Sequence, residues 1–276
     1  MTETSWIHIG MPKTGTKSLQ EGMFYRHSEV GYLGLYIHDR KQFSECRDAD
    51  VQQVYRNFIF KCEEEPPASI CEGFQRNILN PIFEASRCPV FSWESLIENN
   101  LDVKRQRARN LHKLFGSCRI LVTLRQPISL MQSIYLQLLS RDNAGSYSRW
   151  GSPIRFESID EWITHNWDKI GGAPHSHLEY PASIRVFAEE FGEENLEIRL
   201  YEQLKSEPEI YYRSICEVMK INHEEGIHLT KEIQRNRRWT VQQYEFLQRV
   251  SASKWKRFFF QYSPPKIRRI FLGISE

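Results

Sequence analysis

Short apolar segments alternate with longer segments of helical period along most of the chain. The apolar segments predict buried strands at residues 6–10, 89–93, 119–124 and 196–201. The helical spacing of Leu19, Met23 and Phe24 predicts a first helix, and similar patterns predict further helices at residues 49–62, 69–86, 104–115, 157–168 and 180–191 and from Pro127 onward. Strands that alternate with helices indicate an α/β fold with a mainly parallel sheet, which binds ligands at the carboxyl ends of its strands.

Three segments lie outside this alternation. Residues 28–87 are predicted to form a helical insertion between the first and second strands, opening with a Gly- and Tyr-rich turn region at 27–38. Residues 142–153 predict a polar loop that could act as a lid, and residues 231–276 predict a basic helical segment. The chain has no internal repeat or low-complexity segment, so we expect a single domain over residues 1–276.

The turn after the first strand has the composition of an anion-binding loop. The strand ends at Gly10 and the helical stripe begins at Leu19, so the loop leads directly into a helix N-terminus. The first N–H groups of a helix lack intrahelical acceptors and carry positive potential. Lys13 adds a full charge, and hydroxyl donors are supplied by Thr14, Thr16 and Ser18.

This loop is close to a Walker A motif but differs from it at the lysine. Four residues separate Gly10 from Gly15, as that motif requires, but Thr16 occupies the position of its lysine. Lys13, two residues before the second glycine, is therefore the candidate cation of the loop.

A second candidate anion-binding motif follows the third predicted strand. Arg125 stands at the carboxyl end of that strand, and Pro127 is a favoured first-turn residue of a helix. Ser133 lies about two helical turns beyond Arg125. The planar fork of an arginine suits phosphate oxygens. An isolated arginine at a strand end is more often a salt-bridge partner. The motif therefore indicates a phosphate site only in combination with the Lys13 loop.

The two motifs together resemble those of the sulfotransferases that use 3′-phosphoadenosine 5′-phosphosulfate (PAPS), especially the bacterial and glycan-type members. The resemblance is carried by Pro-Lys-Thr-Gly-Thr at 12–16 and by Arg125, Pro127 and Ser133 at the family's spacing. Segments 91–96 and 191–204 are more loosely similar. The resemblance implies a three-layer α/β sandwich of the P-loop nucleoside-triphosphate-hydrolase-like kind.

The resemblance also implies roles for individual residues. In the family the first loop holds the 5′-phosphosulfate and the second motif holds the 3′-phosphate. The implied donor-binding residues of this chain are Lys13, Thr14, Gly15, Thr16, Lys17, Ser18, Arg125 and Ser133. Lys17 departs from the usual threonine or serine, and it could favour the anionic donor or simply face solvent. PAPS is the expected co-substrate, and no metal is expected.

The expected reaction is in-line transfer of a sulfuryl group to an acceptor hydroxyl, which we expect to belong to a carbohydrate or glycolipid. Lys13 would stabilise charge on the bridging oxygen. The family places its general base at the end of the second core strand, as histidine or glutamate, so Glu94 is the candidate base. Glu94 could instead cap the next segment or pair with an arginine. His38 and His112 are alternative bases, and His8 is expected to be a satisfied core histidine.

The bulk composition is typical of a soluble globular protein, with 40% apolar and 26% charged residues among 276. No apolar run approaches the roughly 20 residues needed to cross a bilayer. The N-terminus lacks the basic and apolar regions of a secretory signal. The six cysteines have neither CxxC nor zinc spacing, so we expect reduced and mostly buried thiols. These features predict a cytoplasmic protein.

The net charge of +2 hides a basic tail. Residues 231–276 carry 11 Lys and Arg and 3 Asp and Glu, out of 37 and 35 in the chain, so the tail is +8 and the remainder −6. Within the tail, residues 234–239 could close over a 3′-phosphate, or they could form a basic surface turn. Residues 254–272 interleave basic and aromatic side chains, which could contact an acidic membrane surface or pack on the domain. No nucleic-acid-binding motif accompanies the tail, so nucleic acid is not expected.

Two other functions remain open at this stage. A P-loop nucleotide or small-molecule kinase is disfavoured by the displaced lysine and by the lack of a clear apolar strand ending in an aspartate for Mg²⁺. A non-catalytic relative that keeps the nucleotide pocket would differ from an enzyme at the general base.

Overall fold

The computed structural model describes residues 4–11, 13–34, 49–97, 100–140, 158–166 and 178–231. The described residues fall into two compact units, one comprising those up to Gln126 and from Glu179 onward, the other those from Pro127 to Leu178. The predicted lid, His38 and the basic tail beyond Lys231 lie outside the described residues.

The first unit is built on a five-stranded parallel sheet in the order β2-β3-β1-β4-β5. Its strands are β1 (Ser5–Gly10), β2 (Val30–Tyr32), β3 (Cys88–Ser92), β4 (Cys118–Leu124) and β5 (Leu196–Leu200). Trp6 lies opposite both Val90 of β3 and Arg119 of β4, so β1 is the central strand. The four predicted strands and the mainly parallel α/β sheet are confirmed.

Strand β2 corrects the prediction of a turn at residues 27–38 and of an entirely helical insertion. Val30, Gly31 and Tyr32 pair in parallel with β3, and all three are buried. A Cβ atom on Gly31 would lie 2.3 Å from Cγ2 of Ile82, so glycine is needed for the close approach of the helical segment Asn80–Glu84. A three-residue strand that contains glycine has neither the length nor the alternation by which a strand is recognised in a sequence.

Helices connect the strands. They are α1 (Ser18–Phe24, with π-helical bonding), α2 (Ala49–Val54 continuing as π-helical Tyr55–Lys61), α3 (Ala68–Phe74 through Gln75–Leu79 to Asn80–Glu84), α4 (Leu101–Phe115), α5 (Pro127–Ser140), α6 (Ile159–Asn166), α7 (Tyr180–Phe191), α8 (Tyr201–Ser206), α9 (Pro208–Met219) and α10 (His223–Lys231), with short 3₁₀ turns at Glu94–Ile97 and Glu193–Asn195. None of the helices in the described part of the chain is long and apolar enough to cross a membrane.

The alternation of side chains along the strands divides the core of the first unit into two layers. Ile7 and Ile9 of β1 face one layer, which is completed by α2, α3, α4 and α7. Trp6 faces the opposite layer, which is completed by α1, α9 and α10. Helices therefore cover both faces of the sheet, as a central parallel strand requires.

Buried polar side chains of α4 tie the insertion to the core. The guanidinium of Arg107 donates to the carbonyl oxygens of Ile59 (2.9 Å) and Leu96 (3.0 Å), and lies 5.1 Å from the ring centre of Trp93. The amide of Asn110 donates to the carbonyl of Phe58 at 2.8 Å. The bonds to Phe58 and Ile59 satisfy carbonyl groups near the end of α2, where intrahelical partners run out. One of the basic side chains of the predicted basic helix, Arg107, is therefore buried and bonded inside the protein.

The described cysteines confirm the expectation of free and mostly buried thiols, since Cys62, Cys71, Cys88, Cys118 and Cys216 form no disulfide. Burial raises the pKa of the Cys88 thiol to about 12 and raises that of Cys118 further. At neutral pH these thiols are protonated and weakly reactive.

The second unit contains α5 and α6. Helix α5 begins at Pro127, as predicted from the sequence. The rings of Tyr135 and Trp162 pack with their centres 5.8 Å apart, joining the two helices.

Helix α4 begins three residues earlier than predicted because Asn100 caps it, with Oδ1 accepting the N–H of Val103 at 3.0 Å. We expect Asn100→Ala to lower the free energy of unfolding by about 1 kcal/mol, because the cap satisfies a donor that has no intrahelical acceptor. Asn100→Ser keeps a capping oxygen and should stay within about 0.5 kcal/mol of wild type. Urea denaturation of the three proteins measures both; equal losses for Ala and Ser would contradict a capping role.

Candidate functional site

The Lys13 loop, the turn between Gly10 and the first helix and hereafter called the phosphate-type loop, follows the carboxyl end of the central strand. Strand β1 ends at Gly10, between β3 and β4. Beyond the loop, the carbonyl of Gly15 accepts the N–H groups of Ser18 (2.9 Å) and Leu19 (3.3 Å), which makes Gly15 the first helical acceptor. The N–H groups at the start of this helical segment are therefore oriented toward the loop, as in other anion-binding turns.

The loop backbone is held in an uncommon conformation. Lys13 has φ of +68° and Gly15 has φ of +84°. The left-handed region costs a non-glycine residue about 1–2 kcal/mol, so the turn at Lys13 must be stabilised by its surroundings. Arg125 Nη1 donates to the carbonyl of Lys13 at 2.9 Å, and the Thr14 hydroxyl donates to the carbonyl of Met11 at 2.6 Å. Strain of this kind is often found at ligand-binding turns.

The hydroxyls of Thr14 and Thr16 bond inside the protein in this structure. Both residues are buried, and both hydroxyls donate to the Met11 carbonyl as a shared acceptor. The Thr14 N–H also donates to that carbonyl, at 3.3 Å. Lys17 is exposed, which agrees with the solvent-facing alternative given for it. The roles predicted for Thr14, Thr16 and Ser18 at an anion stay predictions.

A row of polar side chains lies beneath the loop, on the layer of the sheet that contains α1. Nδ1 of His8 lies 2.7 Å from Ser92 Oγ, and Nε2 lies 3.2 Å from Thr123 Oγ1. Burial of the imidazole lowers the pKa of His8 to about 3, so the ring is neutral at physiological pH. The expectation of a satisfied core histidine is confirmed.

Arg125 lies against the loop, on the strand next to β1. Besides its bond to Lys13, its guanidinium lies 4.5 Å from the ring centre of Tyr201, a cation–π contact. The Tyr180 hydroxyl donates to the carbonyl of Arg125 at 2.6 Å, and Glu202 accepts the N–H of Gln126 at 3.1 Å. Residues from α7 and α8 therefore fix the position of this arginine.

Ser133, the third member of the predicted 3′-phosphate motif, is half-buried on α5 of the second unit. Lys13, Arg125 and Glu94 belong to the first unit. The role predicted for Ser133 stays a prediction.

Glu94 is the first residue of the 3₁₀ turn that follows β3, and it is half-buried. Ser92 pairs with His8 of β1, and the N–H of Trp93 donates to the His8 carbonyl at 3.4 Å. Glu94 therefore follows the carboxyl end of β3, the strand next to β1. The role predicted for Glu94 as general base stays a prediction.

His112 is in a different position. It lies in the last turn of α4, just before β4 begins, and therefore at the amino edge of the sheet. Its Nδ1 is 2.7 Å from Oε1 of Glu190. The loop is at the carboxyl edge, so His112 does not meet the geometric requirement for the base.

Several residues of the site were not predicted as functional. Tyr180 and Tyr201 contact Arg125. Thr123, Ser92 and Gln20 join the polar row. The usable signal was a hydroxyl residue near the carboxyl end of an otherwise apolar strand, as at Ser92 and Thr123. The contacts of both tyrosines join distant parts of the chain and have no local pattern.

No family model matches the chain, and no curated protein matches its sequence at a significant level. Two similar solved structures are a sulfotransferase from Alicyclobacillus acidocaldarius and the mouse sulfotransferase SULT7A1 complexed with PAP. The first has a TM-score of 0.49 and 15% identity over 81% of this chain and 83% of that chain. The second has a TM-score of 0.46 and 14% identity over 99% of this chain and 84% of that chain. Likeness at this identity concerns the fold alone.

The described residues contain no group of three or more His, Cys, Asp or Glu side chains arranged to hold a metal ion. The charged groups assigned to the loop are instead the cationic side chains of Lys13 and Arg125.

Gly15 offers a test of how tightly the loop is packed. A Cβ atom there would lie 2.5 Å from Cδ2 of Leu204, in addition to the positive φ. We expect Gly15→Ala to lower the free energy of unfolding by about 2–3 kcal/mol, of which about 1–2 is backbone strain. In a Leu204→Ala background only the backbone part should remain. Chemical denaturation of both single variants and the double variant measures the difference; strictly additive losses would contradict the steric contact.

Proposed function

We propose that the protein is a sulfotransferase that moves a sulfuryl group from PAPS to an acceptor hydroxyl. The observation that carries the proposal is the 2.9 Å hydrogen bond from Arg125 Nη1 to the carbonyl of Lys13. The two motifs of the sequence resemblance, separated by more than a hundred residues, meet in space through their characteristic residues. A coincidental match at either motif would not require this contact.

The chemistry of the paired motifs supports a nucleotide donor that carries anionic groups at two separate positions. Lys13 and the N–H groups at the start of the first helix suit the phosphosulfate, because the lysine is cationic and a helix N-terminus carries positive potential. Arg125 suits a terminal phosphate, because its guanidinium is a planar fork of N–H donors that matches the geometry of phosphate oxygens. We assign the 3′-phosphate to Arg125, with Ser133 as a further proposed contact.

The proposed reaction is a single in-line displacement. The acceptor oxygen forms a bond to sulfur while the bond from sulfur to the 5′-phosphate oxygen breaks. The proton of the acceptor hydroxyl passes to the carboxylate of Glu94, and the Lys13 ammonium stabilises the negative charge that develops on the leaving oxygen. The leaving nucleotide is 3′,5′-ADP.

We further propose, on the resemblance, that the acceptor is a carbohydrate or glycolipid. We also propose that residues 254–272 make peripheral contact with an acidic membrane. The proposed location of the protein is the cytoplasm. Each rests on the sequence pattern described above.

Arg125→Ala tests the donor assignment. We expect its affinity for 3′,5′-ADP, without metal, to fall roughly ten- to hundredfold, since a charge-assisted bond contributes about 1.5–3 kcal/mol. Affinity for 5′-AMP should fall less, by the amount due to the lost bond at Lys13 alone. Titration calorimetry with both nucleotides measures the difference.

Arg125→Lys is the matched control, because it keeps the charge without the planar fork and should lose less than alanine. Equal losses for both nucleotides would reject the assignment of Arg125 to the 3′-phosphate. Preference of the wild-type protein for ATP with Mg²⁺ would instead favour the kinase alternative.

Glu94→Gln tests the base and separates an enzyme from a non-catalytic relative. The amide keeps the shape but cannot accept the proton, so we expect turnover to fall about 10²–10⁴-fold with little change in 3′,5′-ADP affinity. Lys13→Ala should reduce both. The assay is transfer of labelled sulfate from PAPS to a panel of glycans, with binding measured separately.

A Glu94→Gln enzyme within about threefold of wild type, well short of the loss expected for a general base, would reject Glu94. His38 would then be the next residue to test, because His112 lies at the other edge of the sheet. Donor binding without transfer to any acceptor would favour the non-catalytic relative.

A further inference from the structure

The polar row beneath the loop is not used by the proposed reaction, yet it forms a continuous chain of buried hydrogen bonds. Gln20 Nε2 donates to Ser92 Oγ at 3.0 Å, and Ser92 Oγ lies 2.7 Å from His8 Nδ1. On the other side, Thr123 Oγ1 lies 3.2 Å from His8 Nε2 and 2.9 Å from Thr14 Oγ1. This series of hydrogen bonds, called the hydrogen-bond chain below, thus runs from α1 across β3, β1 and β4 to the loop.

The number of protons on each group fixes the direction of the chain. The Thr14 hydroxyl has a single proton, and the shortest of its bonds donates that proton to the Met11 carbonyl at 2.6 Å. Thr14 Oγ1 therefore accepts from Thr123. With its own proton so used, Thr123 Oγ1 must accept from His8 Nε2.

The protonation state of Nδ1, the other nitrogen of the imidazole, follows from this assignment. A neutral histidine that carries its proton on Nε2 has an acceptor at Nδ1, which matches donation from the Ser92 hydroxyl. Ser92 Oγ can then accept the amide donor of Gln20. Every donor in the chain meets an acceptor with one arrangement of protons.

We propose that His8 is a positioning residue, held as the neutral Nε2–H tautomer, that sets the conformation of the phosphate-type loop through this one-way chain. The chain ends on the carbonyl of Met11, which also receives the Thr14 N–H at 3.3 Å and the Thr16 hydroxyl at 3.3 Å. These bonds fix the turn that presents Lys13. The connection to nucleotide binding rests on the proposed function, whereas the tautomer and the chain do not.

Neutral groups surround the imidazole on every element packed against it. Gln20 and the ring of Phe24, 5.6 Å away, face it from α1, Ser92 faces it from β3 and Thr123 from β4. Burial alone lowers the pKa of His8. A second proton on Nδ1 would point at Ser92 Oγ and would force its hydroxyl to turn away. The chain should therefore keep its direction throughout the physiological pH range.

The tautomer is measured by two-bond ¹H–¹⁵N correlation spectra of the full chain labelled with ¹⁵N-histidine. We expect one imidazole with a protonated Nε2 and an unprotonated Nδ1 that does not change between about pH 5 and pH 8. Its signals should shift in Thr123→Val, which identifies the ring as His8. An Nδ1–H pattern, or titration of this ring in that range, would overturn the proposal without bearing on the proposed function.

The positioning role is measured with Thr123→Val and its control Thr123→Ser. Valine keeps the branched shape and removes the hydroxyl, whereas serine keeps the hydroxyl. We expect amide hydrogen exchange of the segment 11–18 to be about tenfold faster in Thr123→Val, the size expected for one lost hydrogen bond, and close to wild type in Thr123→Ser. Unchanged exchange in Thr123→Val, or equal acceleration in both variants, would overturn the role.

The effect of the hydrogen-bond chain on nucleotide binding is measured separately, as the affinity for 3′,5′-ADP. Affinity for 3′,5′-ADP should fall about tenfold in Thr123→Val and recover in Thr123→Ser. A lower melting temperature with unchanged affinity would show a merely structural chain and overturn the link. If the wild-type protein binds no 3′,5′-ADP, the proposed function fails, and the exchange result still decides whether the chain positions the loop.

Discussion

Convergence of hydrogen bonds on the carbonyl oxygen of Met11 is the constraint on which the site depends. This oxygen lies at the end of the central strand, where the chain must leave the sheet, turn at a left-handed Lys13 and enter a helix. Inside a protein, a buried polar group without a partner costs about 1–3 kcal/mol. The threonine hydroxyls and the N–H of Thr14 remove that cost for the one conformation in which all of them reach the same acceptor. The loop is therefore specified by satisfied polar groups as well as by apolar packing.

The parallel sheet explains why these groups can be assembled here. Side chains alternate between the two core layers, so Trp6, Val90 and Leu121 of the three neighbouring strands all face the layer that contains α1. Two residues further along each of these strands, on the same side, the side chains are polar: His8, Ser92 and Thr123. A one-residue shift in register would move these polar groups to the other layer, which is filled by Ile7, Ile9 and their neighbours. The register that buries the core is thus the register that supports the loop.

The features that could be predicted from the sequence are those with a local signal. Continuous apolar runs located four of the five strands, and the Lys13 loop and Arg125 followed from their positions at strand ends. Strand β2 could not be predicted, because it has only three residues, one of them glycine, and is recognised by its pairing with β3. The inward-facing hydroxyl of Thr14 contacts Thr123, more than a hundred residues away. The contact of Tyr201 with Arg125 likewise depends on the pairing of β5 with β4. Local patterns identify which residue types are present at a strand end, whereas tertiary contacts decide which atoms remain available to a ligand.

The Lys13 loop and Arg125, the two parts of the proposed donor site, are not energetically independent. Arg125 bonds to the carbonyl of the residue whose ammonium is assigned to the phosphosulfate, and the ring of Tyr201 contacts Arg125 and lies against Gly15. Residues that share a hydrogen-bond network usually couple by about 0.5–3 kcal/mol. A ligand that engages Arg125 therefore acts on the backbone at Lys13, and a ligand that reorders the loop acts on the guanidinium. The same coupling means that the contribution of either cation can be measured only in the presence and absence of the other. A donor with charge at both ends would engage both cations at once, which gives a physical reason for a fold that holds them in contact.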